Sequence, residues 1–141
     1  MKFLIDTCVL SETVRPRPEA AVLSWFEAQD EEALFVSVLT LGELHKGIAK
    51  LADSARKHAL AEWIDQALVP RFGRRLLSID SAIAAAWGDI SGSAERAGAP
   101  IPVIDGRIAA TARVHGLTVV SRNTKHFAQC DVPVQNPWIV D

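Results

Sequence analysis

Apolar positions along the chain follow two spacings. Short apolar runs occupy Phe3 to Ile5, Leu34 to Val38, Leu76 to Ile79, Leu117 to Val120 and, more weakly, Val132 to Val134. They are too short for helices and most lack clean alternation, so they predict buried strands of a parallel sheet. Between them apolar residues recur at helical intervals: Leu41, Leu44, Ile48 and Leu51; Leu60, Trp63, Ile64, Ala67 and Leu68; Ile83, Ala86, Trp87, Ile90 and Ala94; Ile104, Ile108 and Ala112. Each row marks one face of an amphipathic helix. Ala97-Gly98 and His115-Gly116 close helices, and Pro100 and Pro102 forbid continuation. Strands alternating with helices predict an α/β fold, a parallel sheet covered on both faces. Ligands in such folds bind beyond the carboxyl ends of the strands, which directs attention to Asp6, Asp80 and Ser121-Arg122-Asn123.

Composition narrows this picture. A length of 141 residues with 49% hydrophobic residues predicts one domain over 1–141 with one substantial core. No apolar run reaches the roughly eighteen residues of a membrane span. Met1-Lys2 passes directly into Phe3-Leu4-Ile5 and then a charge, so no signal peptide is expected and the expected location is cytoplasmic. Cys8 and Cys130 form no C-x-x-C pair, and His45, His58, His115 and His126 are too scattered for a zinc spacing. The net charge of -2 does not announce a nucleic-acid binder. Local cations remain: Arg71, Arg74 and Arg75 sit together, and Arg107, Arg113, Arg122 and Lys125 flank two candidate site positions.

The candidate chemistry is carboxylate chemistry. Asp6 follows the first strand directly, at the edge of a cleft, and Thr7-Cys8-Val9-Leu10 is expected to begin a turn; Asp6 can equally be a helix N-cap. Glu43 lies in the helix from about Leu39 to Leu51, beside its buried row, where a glutamate either reaches a cleft or is simply solvated. Asp105 opens the helix that carries Ile108 and Ala112, where a helix N-terminus favours the charged form that a hard cation needs, or where it serves as a cap. Asp80 reads as a cap. Neither G-x-G-x-x-G nor G-x-x-x-x-G-K-[ST] is present, and no Ser-His-Asp arrangement can be argued from spacing. Crowded carboxylates repel one another and take up protons unless a divalent cation sits among them, and Mg²⁺ or Mn²⁺ suits an all-oxygen site.

Three segments in order carry a resemblance. Phe-Leu-Ile-Asp6-Thr-Cys-Val-Leu-Ser, Ser37-Val-Leu-Thr40-Leu-Gly-Glu43-Leu, and Ile104-Asp105-Gly-Arg-Ile-Ala-Ala-Thr111-Ala running through Ser-Arg-Asn123 to His126-Phe127 resemble the PIN-domain ribonucleases, in the VapC/FitB-like toxin branch of type II toxin–antitoxin systems. The resemblance implies a PIN-like three-layer α/β/α sandwich with a central, mostly parallel sheet. It implies that Asp6, Glu43 and Asp105 coordinate Mg²⁺ or Mn²⁺. It also implies an RNA substrate, a homodimer and a small antitoxin protein as partner. Some family members carry a fourth acid near Asn123; an amide there either contributes one neutral oxygen to the metal or caps the short turn from Thr124 to Phe127. Such a site activates a water for in-line attack on a phosphodiester. Thr7, Thr40 and Thr111 are candidates to hydrogen-bond the acids, and Arg122 and Lys125 to contact phosphate. At least one of Trp25, Trp63, Trp87 and Trp138 is expected at a dimer interface.

Two other classes fit the same fold. A phosphatase or phosphoacceptor domain would use Asp6 or Asp80 as nucleophile, but the dehalogenase-type phosphatases call for a second Asp two places on, where Cys8 stands. A PIN-like scaffold that binds RNA without cutting it would have no need of all three acids.

Overall fold

A computed structural model describes residues 1–139. Five strands form one sheet in the order β3-β2-β1-β4-β5, every neighbouring pair parallel: β1 Phe3–Ile5, β2 Leu34–Ser37, β3 Leu76–Leu77, β4 Thr118–Val120 and β5 Val134–Gln135. Strands this short alternate their side chains between two buried faces. Phe3, Ile5, Leu34, Val36 and Val120 enter one apolar cluster, and Leu4 and Val119 enter the other. The result is a three-layer α/β/α sandwich.

The first layer contains α1 Thr7–Thr13, α2 Ala20–Ala28, α3 Val38–Ala49 and a helical stretch from α4 Ala55–Glu62 through a π-helical turn Trp63–Leu68 to α5 Val69–Phe72. It buries Val9, Leu10, Val22, Leu44, Ile64, Leu68 and Phe72 against the sheet. The second layer contains α6 Ser81–Arg96, α7 Val103–His115 and α8 Thr124–Gln129, and buries Ile83, Ile90, Ile108 and Phe127. Asp80 caps α6, its Oδ1 accepting from the Ile83 amide at 2.9 Å, as its position after a strand suggests. Gly116 closes α7 in the left-handed region at φ 66°.

The structure departs from the sequence pattern at several points. Thr7 to Leu10 open a helix instead of a turn, although threonine, cysteine and valine are weak helix formers. Burial of Val9 and Leu10, with Asp6 as N-cap, outweighs that propensity. Helix α2, between Pro18 and Asp30, has no counterpart among the predicted rows. Val38 belongs to α3 because Ser37 stops the strand and caps the helix, its hydroxyl accepting from the Leu39 amide at 3.1 Å. Ile79 lies beyond β3, β5 is displaced to Val134–Gln135, and Leu51 falls outside α3 with its side chain exposed.

All four tryptophans pack, partly buried, on the chain's own two clusters: Trp25, Trp63 and Trp138 on the first and Trp87 on the second. Among the described residues no helix is long and apolar enough to cross a membrane. Both cysteines are free thiols, Cys130 buried and Cys8 half-buried.

Candidate active site

The chain runs from β1 outward to β2 and β3, then returns to the other side of β1 for β4 and β5. The connections beyond β1 and β4 therefore leave in opposite directions, and a crevice opens at the carboxyl ends of these two strands. Asp6 and Ser121 stand there, one residue past each strand. The Asp6 amide donates to the Val120 carbonyl at 2.9 Å, which fixes the carboxylate at the sheet's edge. Its Oδ1 accepts from the Thr7 amide at 2.9 Å and its Oδ2 from the Ser121 hydroxyl at 2.7 Å. Asp6 is thus both the N-cap of α1 and the most buried acid of the cleft, 4% exposed.

Glu43 comes to the site from α3 in one layer and Asp105 from the first turn of α7 in the other. The Thr7 hydroxyl donates to Glu43 Oε1 at 2.5 Å and ties α1 to α3. Asp105 Oδ2 lies 2.5 Å from His126 Nδ1 on α8. Burial raises the Asp6 pKa above its usual value; the Ser121 and Thr7 hydrogen bonds oppose that rise, and the charges of Asp105 and Glu43 reinforce it. Asp105 and Glu43 thus lie near enough to Asp6 for their charges to act on it.

The donor set fits a hard divalent cation: three carboxylates that offer only oxygen donors, one of them, Asp6, raised in pKa by burial and by the charges of the other two. Among the described residues no three acidic, histidine or cysteine side chains are already closed into a ligand cage. Each acid is instead turned toward a donor of the chain, Asp6 to Ser121, Glu43 to Thr7 and Asp105 to His126.

The remaining candidates are placed less uniformly. Asn123 holds the N-cap position of α8, but its side chain makes no capping bond and is exposed. Its backbone amide donates to Ser121 Oγ at 3.0 Å, so Asn123 is linked to Asp6 through Ser121. Arg122 stacks on Trp138, guanidinium carbon 4.7 Å from the ring centre. With Thr124, exposed Lys125 and His126, these two residues line a cleft of about 250 Å³ beside Asp105. Among the described residues, Thr7 is the one of the three threonines that bonds an acid. The Thr111 hydroxyl donates to the Arg107 carbonyl of its own helix, and the Thr40 hydroxyl is buried without a partner.

Of the Arg71, Arg74 and Arg75 cluster, Arg71 and Arg75 are structural and Arg74 is exposed. Arg71 forms a two-point pair with Glu31 at 2.6 and 2.9 Å, and Arg75 donates to the carbonyls of Glu31, Leu34 and Arg71. Two residues escaped the sequence reading as site members. Ser121 was marked only by its place after β4, and His126 only by its position within the third resembling segment.

The PIN domain family model matches residues 3–132. The chain is 40% identical over 135 residues to Toxin FitB of Neisseria gonorrhoeae, covering 96% of this chain and 97% of that protein. It is 33% identical over 135 residues to VapC ribonuclease Y4jK of Sinorhizobium fredii, covering 96% of each. The crystal structure of FitAcB from Neisseria gonorrhoeae superimposes with a TM-score of 0.93 at 39% identity, covering 98% of this chain and 99% of that chain.

Proposed function

Because the chain belongs to the PIN-domain family, we propose that it is a Mg²⁺- or Mn²⁺-dependent endoribonuclease acting as the toxin of a toxin–antitoxin pair. What supports this reading is the place of Asp6 at the crevice between β1 and β4, with Glu43 and Asp105, delivered by helices on the two sides of the sheet, close enough for their charges to act on it. The names of the two relatives, a toxin and a ribonuclease, point the same way.

In this reading Asp6, Glu43 and Asp105 hold the cation. Bound there, a hard divalent ion supplies a water nucleophile at neutral pH and offsets charge on the phosphodiester oxygens. The chain's own groups do the rest. Ser121 and the Thr7 amide orient the Asp6 carboxylate, and the Thr7 hydroxyl orients Glu43. Arg122 and Lys125 border the cleft beside Asp105 and receive the phosphate backbone. Asn123 offers its amide oxygen only after its exposed side chain turns inward. The functional unit spans 1–141, is cytoplasmic, pairs with a second copy of itself and is silenced by a small antitoxin protein.

The decisive experiment incubates purified, partner-free protein with total cellular RNA and Mn²⁺ or Mg²⁺, beside Glu43→Gln. Cleavage is expected with metal, none with chelator and none with the variant. Equal cutting by the variant removes the site assignment; binding without cutting by the wild type leaves an RNA-binding scaffold. Growth arrest on expression alone, relieved by the neighbouring gene, checks the toxin role, and sedimentation at about ten micromolar, where a dimer with micromolar or tighter affinity is populated, checks the homodimer.

A further inference from the structure

His126 is the feature of the site that neither the motif reading nor the three-acid scheme uses. Its backbone is held from several directions. Phe127, the next residue, is fully buried in the second apolar cluster. The Cys130 thiol donates to the His126 carbonyl at 3.1 Å, and α8 packs against both α7 and β5. An anchored backbone leaves the imidazole few places to go. Its ring is 44% exposed at the mouth of the small cleft, while Asp105, which it meets at 2.5 Å, is 15% exposed.

The contact engages one carboxylate oxygen, Oδ2, and joins residues 21 positions apart on two different helices. Asp105 makes no cap for α7, whose N-cap is Pro102 without a side-chain bond. Without His126 the Asp105 side chain would be one exposed-edge carboxylate in a helix first turn, free to rotate away from Asp6 and Glu43. Asp6 and Glu43 each have such a tether, from Ser121 and Thr7, and His126 completes the set.

We propose that His126 is the positioning residue of Asp105: its Nδ1–H donates to Oδ2 and fixes the carboxylate's rotamer, so that Oδ1 would be the oxygen left to hold the cation. This rests on the reading of Asp105 as a metal ligand. Partners of this kind, bonded to a ligand and not to the metal, alter affinity and activity about ten- to hundredfold when removed.

The test is calorimetric titration of Mn²⁺ into the wild type, His126→Ala, His126→Asn and Asp105→Asn, with RNA cleavage followed against Mn²⁺ concentration and apo folding checked by circular dichroism. His126→Ala is expected to weaken Mn²⁺ binding about ten- to hundredfold and to raise the Mn²⁺ needed for half-maximal cleavage by the same factor. His126→Asn, whose amide nitrogen sits close to where Nδ1 was, restores most of the affinity, which a mere packing role would not allow. If His126→Ala binds Mn²⁺ within about twofold of the wild type while Asp105→Asn does not bind, the acids keep their role and that of His126 is overturned. If Asp105→Asn binds Mn²⁺ as the wild type does, the reading of the site falls first and this inference with it.

Discussion

A carboxylic acid buried at a strand end, beside two other acids, binds its proton more tightly in the folded chain than in the unfolded one. That is the situation of Asp6, raised by burial and by the charges of Asp105 and Glu43 against the pull of Ser121 and Thr7. Between the ordinary value of 3.8 and the raised one, the folded state holds more protons than the unfolded state. Stability from this group therefore falls as pH rises through that window, and the cost of the ionised form is fully present above it. Glu31, lowered chiefly by its hydrogen bond to Arg71, has the opposite slope, so only a difference between variants isolates Asp6. Melting chelated wild type and Asp6→Asn across acidic to neutral pH should show the variant equally or more stable at neutral pH, with the gap narrowing as pH falls. A variant that melts well below the wild type at neutral pH would mean that the Ser121 and Thr7 hydrogen bonds outweigh the burial cost. The same variant should not cleave RNA.

At the scale of elements, the two helices that deliver acids are ended and begun by single residues. Helix α7 is stopped by Gly116 at φ 66°, and the Leu117 amide bonds back to the Ala112 carbonyl at 2.8 Å, leading the chain straight into β4 and Ser121. A side chain in this left-handed conformation costs about 1–2 kcal/mol. Gly116→Ala should lower the unfolding free energy by that amount, read as a lower denaturant midpoint with an unchanged slope, while Mn²⁺ affinity remains as in the wild type, because open space surrounds the added methyl. A neutral substitution would mean that the turn relaxes to another conformation. Gly106, beside Asp105, has a different reason: a Cβ there would lie 3.2 Å from the Trp87 ring, so this glycine lets α6 and α7 approach each other closely. The His115-Gly116 stop was legible as a sequence signal, whereas the Gly106 contact involves a residue nineteen places away that no local pattern brings near.

Over the whole molecule, a net charge of -2 and an RNA substrate are reconciled by position. Arg71 and Arg75 are spent on Glu31 and on backbone carbonyls. The cations at the cleft are exposed Arg122, stacked on Trp138, and exposed Lys125. With the inert Glu43→Gln background, binding of single-stranded RNA should weaken as salt rises. Adding Lys125→Ala should make the plot of log affinity against log salt shallower by about 0.7, one phosphate contact's share. Arg71→Ala should leave that slope unchanged. Equal slopes for all three proteins would remove Lys125 from the RNA path.

The alternation of short apolar runs with helical rows was enough, by itself, to determine an α/β sandwich with a parallel sheet, since burial on two faces imposes that pattern on the sequence. Asp6 and Asp105 were nameable because they sit beside a strand end and a helix start that local residues define, whereas Glu43, inside α3, stood out through the motif it shares with the family. Helix α1 was hidden because its local propensities oppose it and only the packing of Val9 and Leu10 under the sheet forms it. Which donor each acid faces could not be read along the chain either. Ser121 meets Asp6 because β1 and β4 pair, Thr7 meets Glu43 because α1 lies on α3, and His126 meets Asp105 because α8 packs on α7. Hydrogen bonds of this kind depend on distances of a few tenths of an ångström between segments far apart in sequence, and those distances are set only when the layers close.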